Sequence, residues 1–228
     1  MNIYILVEGR QTERKVYPEW LKYLAPSLTK VDYLSDVDNN NYYLLSGQGY
    51  PHMLDVKLID SLKDLNTYAK FNQFWIVLDS DGYDMSERED DIYKRIKDSE
   101  IDIGECEVHV IFQNPCIETW GLGHSGMISH NQLHGDLGTH FRFYNVKEFD
   151  PEDMTKPESF FGSVAAYHEV YLKSMLLQQN IRYTKKNPAG IIERNYLENL
   201  VRRTQESDNH LSSFAKFFKI ATDIESKV

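Results

Sequence analysis

The sequence predicts an α/β fold: a mostly parallel sheet flanked by helices, followed by a C-terminal helical appendage. Three observations predict it. Short apolar runs rich in β-branched and aromatic residues, NIYILV (2–7), QFWIVL (73–78) and ECEVHVIF (105–112), have the length and composition of buried strands. Amphipathic stretches of helical spacing separate them, the pattern of βαβ units with parallel strands and right-handed crossovers. From Phe160 onward the helical stretches follow one another without an intervening strand.

Taken in order, the first strand ends at EGRQT and leads into ERKVYPEWLKYLA, where Val16, Trp20, Leu21 and Leu24 share a helical face. Thr12 stands where an N-cap belongs, and Pro18 is expected within the first turn or so, where a missing N–H is tolerated. VDYLSDVDNNNYYLLSGQGYP reads as one or two weaker strands around a polar loop. PHMLDVKLIDSLKDLNTYAKF aligns Leu54, Leu58, Leu62 and Leu65 along a second helix. The strand QFWIVL follows, then a third helix in DMSEREDDIYKRIKDSE, then the strand ECEVHVIF. These elements divide the chain into an α/β domain (1–124), a loop-rich connection (125–159) and a helical C-terminal region (160–228). The last region holds helical stretches in SVAAYHEVYLKSMLLQQ, AGIIERNYLENLVRRTQ and HLSSFAKFFKIATDI. Phe214, Phe217 and Phe218 recur there at helical spacing, as core or interface residues do.

With 228 residues, 41% of them hydrophobic, the chain can bury a substantial core. No apolar run has the length of a membrane span, and the N-terminal one is too short for a signal peptide. Two cysteines, Cys106 and Cys116, provide no disulfide framework, so a cytoplasmic protein is expected. A net charge of −10 argues against coating nucleic acid by bulk attraction. The charge is unevenly spread: residues 170–228 carry 10 Lys and Arg against 6 Asp and Glu, which leaves 15 against 29 for residues 1–169. An acidic region can hold a polyanion only with metal ions or a basic neighbour. Arg182, Lys185, Lys186, Arg202 and Arg203 are expected to line such an approach, with a solvated basic helix face as the competing reading.

Ligands of parallel sheets bind beyond the carboxyl ends of the strands. There the sequence puts Glu8 after the first strand and Asp79-Ser80-Asp81 after another. Carboxylates so placed are hard oxygen donors suited to Mg²⁺ or Mn²⁺, metals that serve phosphoryl chemistry. A lone Asp-x-Asp is more often a turn; the third carboxylate at the same sheet edge is what favours a metal site.

The combination of VEGRQTE (7–13) with IVLDSD (76–81) resembles the TOPRIM fold of topoisomerases, primases and OLD-type nucleases, and NPCIETWGLGH (114–124) looks like the Asn-Pro-Cys-x-Glu-x-Trp segment of the RloB-like branch. The resemblance covers residues 1 to about 124; beyond it, Tyr183-Thr-Lys-Lys matches a late lysine region loosely. It implies a Mg²⁺- or Mn²⁺-dependent nuclease of bacterial anti-phage defence, working on DNA or RNA with an SMC- or ABC-type ATPase. It assigns Glu8 as general acid/base or metal ligand, and Asp79 and Asp81 as metal ligands. Glu13 would bind a second metal or cap its helix, Glu118 would add a carboxylate at the sheet edge, and Lys185 or Lys186 would neutralise transition-state charge. Two other readings stay open: a TOPRIM effector that cuts RNA such as tRNA, and a non-catalytic module that binds nucleotide or docks on an ATPase. A homo-oligomer is compatible with the sequence. His124, His130, His134 and His140 raise a zinc alternative, but their spacing matches no zinc pattern, and the loop holds no cysteine.

Overall fold

A computed structural model describes residues 1–129, 133–207 and 209–227. His130, one of the four histidines above, lies outside the described residues. The chain forms two compact units, one of residues 1–78, 83–112 and 219–228, the other of 79–82 and 113–218.

The first unit is built on a five-stranded parallel sheet flanked by helices, as expected. Its strands are β1 (Ile3–Val7), β2 (Thr29–Val31), β3 (Asn41–Ser46), β4 (Gln73–Asp79) and β5 (Glu107–Gln113), in the spatial order β2-β3-β1-β4-β5. β1 lies in the centre, paired with β3 and β4, and all five of its side chains are buried. A strand covered on both faces must be apolar at every position rather than at alternate ones, which is why IYILV reads as a continuous run. On one face Tyr4 and Leu6 of β1, with Phe74, Ile76 and Leu78 of β4, join a cluster with Leu54, Leu58, Leu62, Leu65 and Ile92. The alternate residues Ile3, Ile5, Val7, Trp75 and Val77 are equally buried on the other face.

The helices of this unit are α1 (Glu13–Leu24), α2 (Leu58–Tyr68) and α3 (Met85–Asp98). α2 is entered through a π-helical turn, Met53–Lys57, so the leucine face begins one turn before the α-helix does. α3 is capped by Asp84, whose carboxylate accepts from the Ser86 and Glu87 amides. One local expectation is corrected. Pro18 lies inside α1, in its second turn, where it removes a hydrogen bond; burial of Val16, Tyr17, Trp20 and Leu21 holds the helix regardless. Thr12 takes the N-cap position as expected, with a helical backbone and no side-chain capping bond.

The second unit is helical: α4 (Ile117–Leu122), α5 (Gly135–Phe143), α6 (Val164–Leu177), α7 (Arg194–Glu206) and most of α8 (Ser212–Thr222). The Asn-Pro segment at 113–124, contiguous in sequence with the α/β region, belongs here. α5 is a helix within the stretch read as loop-rich. Its Gly138 hides it from pattern reading, yet a Cβ there would press on the Leu133 carbonyl, so close packing rather than flexibility explains the glycine. Trp120 of α4 packs against Phe214 and Phe217 of α8, at 5.5 and 5.7 Å between ring centroids, and all three are fully buried. These phenylalanines are core. Arg203 is also interior, 6% exposed, and does not line a solvent approach. Its guanidinium donates to the carbonyls of Gly123, Val146 and Phe149, satisfying backbone that two loops would otherwise bury unpaired.

Candidate active site

Glu8 directly follows β1 and extends its ladder, its amide donating to the Val77 carbonyl at 2.8 Å. Its carboxylate accepts from the Tyr50 amide at 3.2 Å, and its carbonyl accepts from the Gly49 amide at 2.9 Å. The loop after β1 is thus stitched to the loop after β3. Ser46 Oγ donates to the Gly9 carbonyl and Arg10 donates to the Gln48 carbonyl, completing the seam. Gly9 is dictated by Glu13, whose buried carboxylate occupies the space a Cβ would need. Glu13 therefore folds back over the strand-end turn rather than pointing away along α1.

Asp79 ends β4, and Ser80 and Asp81 make the turn that follows, with Asp81 in the left-handed region at φ 51° and Gly82 at 79°. The Asn-Pro segment holds this turn in place. The Ser80 amide donates to the Gln113 carbonyl at 2.9 Å, the Asp81 amide to the Pro115 carbonyl at 3.2 Å, and Ser80 Oγ to Asn114 Oδ1 at 2.8 Å. Asn114 and Ser80 are site-forming residues that sequence reasoning quoted without giving them a role. The signal was their motif: a side-chain amide and a hydroxyl are what a tight turn needs to be pinned from outside.

Glu118 lies in the first turn of α4 and is 2% exposed. Its Oε1 accepts from the Tyr183 hydroxyl at 2.8 Å, and Lys185 Nζ stands 3.9 Å from the same oxygen. Lys185 also pairs with Glu169 of α6 at 3.5 Å, and Glu169 in turn pairs with Lys173. Burial works against the charge on Lys185, but Glu118, Glu169, Cys116 and Asp79 outweigh it and hold the ammonium above the usual lysine range. The reverse turn Thr184–Asn187, closed by a two-way backbone bridge, presents Lys185 to these carboxylates. Lys186, the next residue of that turn, is exposed. Tyr183 is the functional candidate that sequence reasoning passed over.

Beneath Glu118 runs a buried relay that fixes α4. His168 Nε2 is 2.9 Å from the Met154 carbonyl, which only accepts, so Nε2 carries the proton. Nδ1 then accepts from Thr119 Oγ1 at 2.8 Å, and Thr119 Oγ1 faces the Cys116 thiol at 3.5 Å. Burial pushes the His168 pKa down to about 4 and the Cys116 thiol well up, so both stay neutral. Among the described residues, no three histidines gather as a zinc site would need. His124 packs edge-on against Tyr196 at 4.6 Å, and burial lowers its pKa; His140 lies between Tyr167 and Tyr171.

Among the described residues, no group of three or more His, Cys, Asp or Glu side chains converges on a point as a metal site would. The donor chemistry nevertheless fits a hard cation: Glu8, directly after β1, offers carboxylate oxygens, and so do Asp79 and Asp81 at the turn that ends β4. The structure brings Asp79, Glu118 and Lys185 into one electrostatic group and Glu8 and Glu13 into one turn.

A family model for RloB-like proteins matches residues 3–195. The chain belongs to the RloB-like family. The match takes in the Asn-Pro segment and the Tyr183-Thr-Lys-Lys stretch of this RloB-like protein, so the late lysines fall inside the family region. No curated protein and no solved structure matches the chain. Among the described residues, no helix is long and apolar enough to cross a membrane.

Proposed function

We propose that this RloB-like protein is a TOPRIM-type, metal-dependent nuclease, the effector of a cytoplasmic anti-phage system that works with an ATPase partner. The observation that carries the reading is Lys185, held charged by Glu118, Glu169 and the strand-end Asp79. A cation fixed next to a carboxylate turn is what a site handling phosphate needs, since it offsets the charge that builds up on a phosphoryl group.

In this reading Glu8, Asp79 and Asp81 would hold Mg²⁺ or Mn²⁺, and Glu13 would be available to a second ion. A bound cation supplies polarisation of the phosphoryl oxygen and a more acidic water. Lys185 contacts the phosphate and stabilises its developing charge, and Glu118, fixed by Tyr183, keeps the ammonium aimed. Glu8, hydrogen-bonded by the Tyr50 amide, is positioned to accept or return a proton at its carboxylate. The acidic first 169 residues explain why an ATPase would be needed to deliver the nucleic acid. Tight unaided binding of duplex DNA at physiological salt would sink that part of the proposal.

Thermal melts of wild type, Asp79→Asn and Asp81→Asn, with and without Mn²⁺, test the metal site. Wild type should gain about 2.7 kcal/mol of stability at a hundredfold excess of Mn²⁺ over its dissociation constant. Each variant should lose both that gain and cleavage of nucleic acid. An undiminished metal-induced shift in both variants would falsify the assignment, and binding of metal without any cleavage would favour the non-catalytic module.

A further inference from the structure

We propose that Tyr50, Tyr83 and Arg88 form a stacking clamp for unpaired nucleobases beside Glu8, so that the substrate is a single-stranded nucleic acid. The two tyrosines are among the large side chains left in solvent, at 53% and 64% exposure. The Arg88 guanidinium sits over both rings, 4.8 Å from the centroid of Tyr50 and 4.6 Å from that of Tyr83. Cation–π attraction thereby holds two exposed aromatic faces in a fixed arrangement. Their position is functional: the Tyr50 amide donates to Glu8 Oε1, and Tyr83 follows Asp81 by two residues.

A guanidinium is a flat, delocalised cation. The surface that stacks it also stacks a nucleobase, and arginine itself adds stacking and cation–π contact to bases. The chain's net charge of −10 removes the usual source of affinity for duplexes, whose base faces are in any case hidden in the stack. Stacking is the sequence-tolerant contact left to an acidic protein, and only unpaired bases offer it. The clamp thus defines a substrate that a carboxylate site alone would not select.

This inference deepens the nuclease reading but is measurable without turnover. Full-length protein in Ca²⁺ at low ionic strength is titrated into labelled 12-mers: single-stranded DNA, single-stranded RNA, the DNA duplex and an abasic strand of equal charge. Tyr50→Ala and Tyr83→Ala should each weaken single-strand binding by about tenfold, and the matching Phe variants by no more than about twofold. Binding to the duplex and the abasic strand should not change. Preference between the DNA and RNA arms identifies the sugar. Melting temperatures should be unaltered, since both rings are exposed. No detectable single-strand binding by wild type, or equal losses on the abasic strand, overturns the clamp. Loss of cleavage or of the Mn²⁺ shift alone would bear on the metal site and leave this result standing.

Discussion

Replacing Tyr183 by Phe removes one oxygen atom and leaves the ring in its buried place. In the native protein that hydroxyl is 2.8 Å from Glu118 Oε1, and Glu118 is 2% exposed. The carboxylate then loses its short-range donor without gaining water. Lys185 cannot replace it, because its ammonium is 3.9 Å away on a side chain 57% exposed, where solvent screens the pair. A hydrogen bond to a charged group is worth about 1.5–3 kcal/mol, and a chain of this size shifts by about 2–4 °C per kcal/mol, so the melting temperature should fall by about 3–12 °C. The double variant Tyr183→Phe with Glu118→Leu should be less destabilised than the two single variants added together, since removing both partners leaves no stranded charge. Mn²⁺ should still raise the melting temperature of Tyr183→Phe, because Glu8, Asp79 and Asp81 are untouched. Differential scanning calorimetry decides it. A melting temperature within about 1 °C of wild type, or simple additivity in the double variant, would refute the reasoning.

His168 makes the second unit acid-sensitive. Its folded pKa of about 4 lies below the ordinary 6.5, so the neutral ring's full stability is present above pH 6.5 and is lost as pH falls toward 4. At 1.36 kcal/mol per unit this amounts to about 3 kcal/mol, a loss that His168→Gln should not show in chemical denaturation between those pH values. Lys185→Met should abolish cleavage while Lys186→Met retains most of it, because Glu118 and Glu169 hold the Lys185 ammonium at the site. With its folded pKa above the usual 10.5, Lys185 also adds stability present below that pH and lost as pH rises through the folded value; Lys185→Met should flatten this alkaline decline. Gly9→Ala should cost about 1–3 kcal/mol through overlap with the Glu13 carboxylate, and adding Glu13→Ala should recover most of it in urea unfolding.

The order of elements was legible because each buried face writes a local period. IYILV and FWIVL are apolar at every position since both faces of a central parallel strand are covered. Leu54, Leu58, Leu62 and Leu65 repeat at helical spacing since one side of a helix is covered. Strand direction followed from alternation with helices, and direction alone put Glu8 and Asp79 at carboxyl ends. The placement of β3 between β2 and β1, and the helix α5 around Gly138, left no such signal. Which lysine meets Glu118, and that Tyr183 supports it, is decided across 65 residues of chain by packing. Arg203 shows the same limit: its charge reads as surface, but three backbone carbonyls left open by distant loops drew it inside. Periodicity records which face of an element is buried; it carries no record of which residue, far along the chain, completes a polar group's hydrogen bonds once that face is closed.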